Sequence, residues 1–373
     1  MTRRIFVSLL LTWLAARSAG AAVAVDDFFL SVENQEIEIP YSALLANDDL
    51  DSRTRWEVVL DSGPAWGDLT TATDGFAYKP PAGASGVDTF TYYLRGGSTP
   101  SKTATVRLHI SPLWAPIAGD WDGDGDLEVG VFKNAPAPYF RLCESLAEQP
   151  VCPIYQPLPS SFAGFLPIAG NWGGDPADEV GLYNPETGHF YLFDIGPEHT
   201  LLALTNFQLG EGGKGDLPLA GDWNGDGTDT VGLRIAATGE FALRDASSTG
   251  GYDHVFAVAG SQLGWLPFAG DWLRDGTSGV GLFDPLDSRL VLRDDLTPGP
   301  AQWELEVGGS AEESALVPVL GIGDPAGLPE LFSFFLFTRS TSSLIFYNYS
   351  AGGMIEPHLK VVIPTDPDGQ TVQ

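Results

Sequence analysis

The stretch AGDWDGDGDLEVGVF, residues 118–132, decides the fold, because related versions of it return along the chain. The later copies are AGNWGGDPADEVGLY (169–183), AGDWNGDGTDTVGLR (220–234) and AGDWLRDGTSGVGLF (269–283). The second residue of each copy is a glycine, and these four glycines are 51, 51 and 49 residues apart. One more step of 51 residues reaches a fifth glycine. The five are Gly119, Gly170, Gly221, Gly270 and Gly321. A fixed period of this size is the signature of a repeat protein. We therefore predict five units of roughly 50 residues between residues 112 and 364.

Each unit is predicted to contribute four short strands. In the first unit they are PIAGDW (116–121), LEVGVF (127–132), YFRLC (139–143) and PIYQPL (153–158). Four short strands in each of five units, without helical periodicity, are typical of an all-β, five-bladed β-propeller. Every unit starts and ends at the same strand, so we expect closure by packing alone. A stacked open solenoid is the alternative.

Residues 25–111 predict a separate first module. Seven short apolar or alternating segments are parted by turn residues: FFLSVE, EIEIP, WEVVL, GDLTT, FAYKP, DTFTYYL and TATVRLHI. Seven strands in such a short span indicate an antiparallel β-sandwich of the immunoglobulin type. The boundary with the repeats is predicted near Ser111 and Pro112. Residues 365–373 form a polar tail.

The repeats, over residues 112–364, resemble the integrin-alpha-type propeller repeats, also called FG-GAP or VCBS repeats, of bacterial secreted proteins. The resemblance rests on the AGDWDGDG core followed by Val-Gly. It implies a β-propeller with calcium bound between the first two strands of a blade.

The first module resembles the cadherin-like, immunoglobulin-type modules of bacterial surface proteins. The matching stretches are VDD (25–27), LLANDDLD (44–51), GPAWGDL (63–69) and GVDTFTY (86–92). The resemblance implies a spacer or adhesive unit, often stiffened by calcium. Here Asp51 is followed by SRTR instead of further acids, so we favour a polar turn over a strong calcium site.

Oxygen-bearing side chains stand at alternate positions of the first acidic loop: Asp120, Asp122, Asp124 and Asp126, with Glu128 closing the set. Calcium takes 6–8 oxygen ligands in flexible geometry, which this set can supply with a backbone carbonyl and water. The third copy keeps Asp222, Asn224 and Asp226, and the fourth keeps Asp271 and Asp275 beside Leu273 and Arg274. We predict calcium at the first and third loops and weaker or no binding elsewhere.

Two other kinds of loop share parts of this pattern. An EF-hand or dockerin loop needs flanking helices, whereas the strand VGVF (129–132) follows the acids directly. A turn in which aspartates cap backbone amides is the simpler alternative, but the clustered acids would repel one another without a cation.

One tryptophan stands beside the first acid or amide of each of four loops: Trp121, Trp172, Trp223 and Trp272. Packing between neighbouring repeats is the favoured interpretation. An exposed ring of sugar-binding tryptophans is the alternative.

The N-terminus predicts export. Arg3 and Arg4 precede an apolar run, and small residues lead to Ala24, where we expect cleavage. A twin-arginine signal is the alternative to the ordinary secretory route. We expect a secreted or periplasmic protein without a membrane span. Its two cysteines, Cys143 and Cys152, are predicted to form a disulfide within the first repeat.

The formal charge of −30 argues against nucleic acids and anionic membranes as partners and favours divalent cations. No nucleophile, zinc or phosphate-loop motif of an enzyme is present, and the five histidines occupy unrelated positions in the units. We expect a monomeric, calcium-binding structural or adhesion protein that binds a surface protein or a polysaccharide. A lectin is the second hypothesis and a glycosidase the third.

Overall fold

The structure, a computed structural model, is nearly all β. It describes residues 22–50, 54–96, 99–125, 128–135, 137–144, 152–196, 200–262, 265–273, 275–284 and 289–306, together with the strands 316–319, 332–338, 343–349 and 355–362. Most of the predicted signal segment and the polar tail lie outside these ranges. No helix among the described residues has the length and apolarity needed to span a membrane.

The N-terminal module contains the seven predicted strands. They are β1 (Asp27–Val32), β2 (Ile37–Pro40), β3 (Glu57–Ser62), β4 (Asp68–Thr71), β5 (Gly75–Lys79), β6 (Gly86–Arg95) and β7 (Ala104–Ser111). A four-stranded sheet in the order β1-β7-β6-β3 faces a three-stranded sheet in the order β2-β5-β4. One helical turn, α1 (Tyr41–Leu44), follows β2 and was not predicted.

The module departs from the antiparallel expectation at one edge. Strand β1 pairs with β7 in parallel, and Leu30 lies opposite His109. Alternate residues of β6 and β7 point inward, so that Phe90, Tyr92 and Val106 are completely buried. The two sheets therefore enclose one apolar core, as the alternation of the sequence predicts.

The first three repeats each form one antiparallel sheet. The first contains β8 (Trp114–Gly119), β9 (Glu128–Lys133), β10 (Tyr139–Leu142) and β11 (Ile154–Pro157). The second contains β12 (Leu166–Gly170), β13 (Glu179–Asn184), β14 (His189–Gly196) and β15 (Thr200–Gln208). The third contains β16 (Leu217–Gly221), β17 (Thr230–Arg234), β18 (Phe241–Leu243) and β19 (His254–Phe256).

The last two repeats follow the same plan after a short strand, β20 (Val258–Ala259). The fourth contains β21 (Leu266–Gly270), β22 (Gly279–Asp284), β23 (Arg289–Arg293) and β25 (Trp303–Glu306), with β24 (Gly299–Pro300) pairing with β20 in parallel. The fifth contains β26 (Leu316–Val319), β27 (Phe332–Thr338), β28 (Ser343–Tyr349) and β29 (Ile355–Val362). Each four-stranded sheet of the repeats is open and is built from one repeat, whereas the short β20–β24 pair joins the third repeat to the fourth.

The first strands of consecutive repeats lie side by side. Strand β8 lies beside β12, β12 beside β16, β16 beside β21, and β21 beside β26. Strand β26 also lies beside β8. Apolar clusters fill the spaces between neighbouring sheets; one joins Phe140 and Leu142 of the first repeat to Val180 and Leu182 of the second. Apolar residues of the first three repeats are thus buried against the next repeat.

The N-terminal module packs directly against the repeats. Leu30 of β1 joins the apolar cluster between the first two sheets. The Ser111 hydroxyl donates to the Gly164 carbonyl at 2.9 Å, and the Leu113 amide donates to the Glu33 carboxylate at 2.9 Å. The chain leaves β7 at Ser111 and enters β8 at Trp114, at the predicted boundary. These contacts fix the module on the first repeats.

Candidate metal centre

The first acidic loop brings three carboxylates together between β8 and β9. Oxygen atoms of Asp120, Asp122 and Asp124 all lie within 4.8 Å of one another. Asp122 and Asp124 are exposed, whereas Asp120 is partly buried. Asp126, the fourth predicted ligand, lies outside the described residues. Hard carboxylate oxygens at this separation suit a divalent cation such as calcium.

The loop is shaped around the carboxylate of Asp120. One of its oxygens accepts the amides of Gly123 at 2.7 Å and Asp124 at 3.1 Å, and the other accepts the Gly125 amide at 2.8 Å. Gly123 and Gly125 have φ angles of 75° and 92°, a left-handed conformation that side chains with a Cβ atom disfavour. Asp120 therefore organises the loop, and its oxygens keep lone pairs that could bind an ion.

Glu128 lies buried at the end of this loop, with 3% of its surface exposed. Its carboxylate accepts the Trp121 amide at 3.2 Å. Burial, together with the charges of Asp122, Asp120 and Asp124, raises the pKa of Glu128 to about 8. The negative field that raises this pKa is the field that a bound cation would relieve.

The third and fourth loops repeat the backbone arrangement with fewer acids. Asp222 accepts the amides of Gly225, Asp226 and Gly227, as Asp120 does in the first loop. Asn224 is placed with its amide nitrogen 3.0 Å from an Asp226 oxygen.

In the fourth loop Asp271 accepts the amides of Asp275 and Gly276. Hydrogen bonds from threonines lower the pKa of Asp226 and of Asp275. Within the described residues, three acidic side chains converge in the first loop alone. Calcium at the first and third loops, and weaker or no binding at the fourth, stay predictions.

The second loop has a similar hydrogen-bonded turn, organised by the side-chain amide of Asn171 instead of a carboxylate. Asn171 accepts the Gly174 amide at 2.6 Å, and Glu179 accepts the Trp172 amide at 2.7 Å. Burial is the main cause that raises the pKa of Glu179 to about 7. The described residues of this loop have the turn geometry without three converging acids. Weak or absent calcium binding at this loop stays a prediction.

Neighbouring loops are joined by a contact that the sequence analysis missed. The Asp120 amide donates to the Asp178 carboxylate at 2.9 Å, and the Asp178 amide donates to the Asp120 carbonyl at 2.6 Å. Asp229 makes the same pair of bonds with the backbone of Asn171, at 2.9 and 2.7 Å. Ser278 makes it with Asp222, at 3.0 and 2.6 Å. We call these three paired contacts the inter-repeat latches.

Burial raises the pKa of Asp178 to about 6 and that of Asp229 to about 7. Each latch residue stands seven positions after the first residue of its own loop, and Leu127 holds that position in the first loop. Comparing the copies at this position could have revealed the set. The partner, however, lies in the preceding repeat and is not evident from the spacing.

The four loop tryptophans are buried. Trp121, Trp172, Trp223 and Trp272 are 4%, 8%, 3% and 6% exposed, and the first three belong to apolar clusters between sheets. Trp121, Trp172 and Trp223 therefore pack between repeats, the favoured interpretation, whereas Trp272 contacts Phe268 of its own repeat with ring centres 5.7 Å apart. The four buried tryptophans do not form an exposed sugar-binding ring.

The predicted disulfide joins Cys143 and Cys152. Cys143 directly follows β10 and Cys152 precedes β11, so the bond closes the connection between the third and fourth strands of the first sheet. The prediction from two cysteines in one repeat is confirmed.

The turn after α1 in the first module is tied to the N-terminal strand. The Val25 amide donates to the Asp48 carboxylate at 2.7 Å, and the Asn47 side chain donates to the Asp26 carbonyl at 3.0 Å. Burial raises the pKa of Asp27 beside this turn to about 7. These bonds stabilise the turn, and the choice of a polar turn over a strong calcium site stays a prediction.

Comparisons with known proteins bear on the first module. Residues 19–109 match the bacterial Ig domain family, and this span contains strands β1–β6 and all but the last residues of β7. The N-terminal module is therefore a bacterial Ig-like domain. The comparison with curated proteins found no match.

Several solved structures show distant similarity. Two are endo-fucoidan hydrolases of glycoside hydrolase family 107, 14% and 13% identical over 47% and 50% of this chain, each with a TM-score of 0.19. This chain spans 26% and 28% of those two chains. A protein from Lactobacillus plantarum is 12% identical over 83% of this chain and 97% of its own, with a TM-score of 0.32. Similarities of this size carry no argument about activity.

Proposed function

We propose that this chain is an exported calcium-binding protein whose repeats form a five-bladed β-propeller that binds a surface protein or a polysaccharide. The observation that carries the proposal is the convergence of Asp120, Asp122 and Asp124, whose carboxylate oxygens lie within 4.8 Å of one another. Three like charges at this distance repel one another, and a divalent cation removes that repulsion.

The order of neighbouring strands supports the propeller. The first strands of the five repeats follow one another side by side, and β26 lies beside β8. In a linear solenoid the first and last repeats would lie at opposite ends of the stack. A radial arrangement brings them together, with one sheet as each blade.

The chemistry of the first loop supports calcium over other metals. Its donors are carboxylate oxygens, with no histidine or cysteine in the loop, and zinc prefers nitrogen and sulfur ligands. The carboxylate of Glu128 and backbone carbonyls can extend the oxygen shell, and calcium tolerates such irregular sets. Calcium bound to the folded loop alone would stabilise the fold.

A binding role follows from the remaining features. The bacterial Ig-like domain is fixed on the repeats, so the two parts would present a single rigid surface. The charge of −30 disfavours nucleic acid and anionic lipid as partners. We expect the protein to act as a monomer outside the cytoplasm and to have no enzymatic activity of its own.

Calorimetric titration of the chain from Val25 onward with calcium, together with its melting point with and without chelator, tests the proposal. We expect saturable binding, a higher melting point with calcium, and loss of the tightest site on replacing Asp122 and Asp124 by Ala. Replacement of Asp271 and Asp275 by Ala, in a loop without three converging acids, is the matched control and should keep that site. A flat titration of the unmodified chain would contradict the proposal.

A further inference from the structure

The guanidinium group of Arg234 is buried without a counter-charge. Arg234 ends strand β17, and 2% of its surface is exposed. Among the described residues, its Nε and Nη1 atoms have no hydrogen-bond acceptor. Only Nη2 has partners, the Ser261 hydroxyl at 3.2 Å and the Gln262 carbonyl at 3.4 Å, both long.

In the part of the chain that the structure describes, no acidic side chain offsets this charge. The guanidinium carbon lies 5.1 Å from the ring centre of Phe241, which offers a weak cation–π contact. Burial alone lowers the pKa of Arg234 to about 10, with no carboxylate raising it again. A buried cation with unpaired donors is costly, and proteins normally pair such groups.

The fold does not require an arginine at this position. The equivalent residue in the other copies of the 15-residue stretch is Phe132, Tyr183 or Phe283, and each of these is fully buried. An uncharged ring thus fills the same place in three neighbouring repeats. Arg234 departs from this pattern in a chain where acids far outnumber bases, yet it pairs with none of them.

Arg293 is a second buried arginine of this chain, and it has both hydrogen-bond acceptors and a nearby carboxylate. It is 6% exposed, and its nitrogens donate to the Thr297 carbonyl, the Thr297 hydroxyl and the Pro300 carbonyl. Asp295 lies 3.7 Å away and balances the charge. Arg234 has neither a complete set of acceptors nor a neighbouring carboxylate.

We propose that Arg234 binds a small monovalent inorganic anion, chloride, beside Ser261 and Gln262. In this site Nε and Nη1 donate to the anion, and Nη2 keeps its hydrogen bond to the Ser261 hydroxyl. The two donors are closed off from solvent, which favours a small ion over a carboxylate or phosphate ligand. Water could accept the same hydrogen bonds but would leave the charge unbalanced.

The test compares melting of the full mature chain in sodium chloride and in sodium gluconate at equal ionic strength and fixed calcium. Gluconate is a large organic anion that carries the same charge as chloride. We expect a melting point about 3 °C higher in chloride, reached in a saturable way, because an ion that binds only the folded state raises its stability.

Arg234→Phe is the decisive variant, because phenylalanine occupies the equivalent position in two other repeats and should fold there. It should melt at the same temperature in both salts. Arg293→Met is the matched control and should keep the difference between the salts. Arg234→Lys keeps the charge but loses the two-pronged donor, and we expect a smaller difference.

Bromide in place of chloride gives a structural test, since its anomalous scattering would mark the ion beside Nε and Nη1. Equal melting of the unmodified chain in both salts would overturn the proposal, as would an unchanged salt response in Arg234→Phe. The proposal would also be overturned if bromide gave no anomalous peak beside Nε and Nη1 and a water molecule occupied that place.

Discussion

Replacing Gly221 with alanine tests how closely neighbouring repeats are packed. A methyl group on Gly221 would lie 2.8 Å from the Cβ atom of Ser278 in the next repeat and 2.9 Å from the Trp223 ring. Trp223 is 3% exposed, and Ser278 is held by its two bonds to Asp222. Neither neighbour can move without disturbing the junction.

The cost follows from this geometry. Overpacking of a filled core costs about 1–3 kcal/mol, and two immobile neighbours place this site in the upper part of that range. Alanine also restricts the unfolded chain, which offsets about 0.4–1 kcal/mol. We expect a net loss of about 2 kcal/mol, or a melting point lower by about 4–8 °C for a domain of this size.

Differential scanning calorimetry at saturating calcium measures this change. Gly251→Ala is the control, because no atom lies within 4 Å of the added methyl group. It should leave the melting point unchanged or raise it slightly. The double variant Gly221→Ala, Ser278→Gly removes one of the two close contacts, so the double-mutant cycle should show favourable coupling. If Gly221→Ala melts like Gly251→Ala, the close packing deduced for this junction is wrong.

Two further predictions concern the latches and the Ig-like domain. Asp178→Ala frees the backbone of Asp120 and should weaken calcium binding at the first loop about tenfold or more by calorimetry, as loss of a group that orients a ligand does. Asp229→Ala breaks the equivalent contact at the second loop and should lower the melting point while the first loop keeps its affinity; equal affinities in both variants would count against a positioning role. His109 is fully buried, and burial lowers its pKa to about 4. As the pH falls, His109 takes up a proton in the unfolded chain before it does so in the folded chain, and this lowers the free energy of unfolding. The free energy of unfolding is unaffected by His109 above about pH 6.5 and falls by about 3 kcal/mol as the pH drops to 4. The stability difference between the unmodified chain and His109→Gln, measured at pH 7 and 4.5, isolates this effect; a difference that does not change with pH would refute it.

Local patterns were enough to predict most of the strands. Alternating and continuous apolar runs placed seven strands in the first module and four in each repeat. Turn residues separated the strands, and both signals lie within a few residues of the chain. The parallel pairing of β1 with β7 was missed, because it joins segments nearly 80 residues apart and leaves no local pattern.

The acidic loop was predicted only in part. The positions of Asp120, Asp122 and Asp124 follow from the spacing, and the structure brings their carboxylates together. The spacing did not show that Asp120 also accepts three backbone amides and thereby shapes the loop. It also did not separate the first loop from the third, where two acids and an amide stand at matching positions.

The amino-acid sequence by itself determined the repeat period, the strands of each repeat, the disulfide and the sandwich of the first module. These features depend on residues close together in the chain, or on a pair of cysteines with no other choice. Only the tertiary structure decided the inter-repeat latches, the burial of the tryptophans and the isolation of Arg234. These depend on how one repeat packs on the next, and the energy of that packing comes from contacts between residues some 50 positions apart.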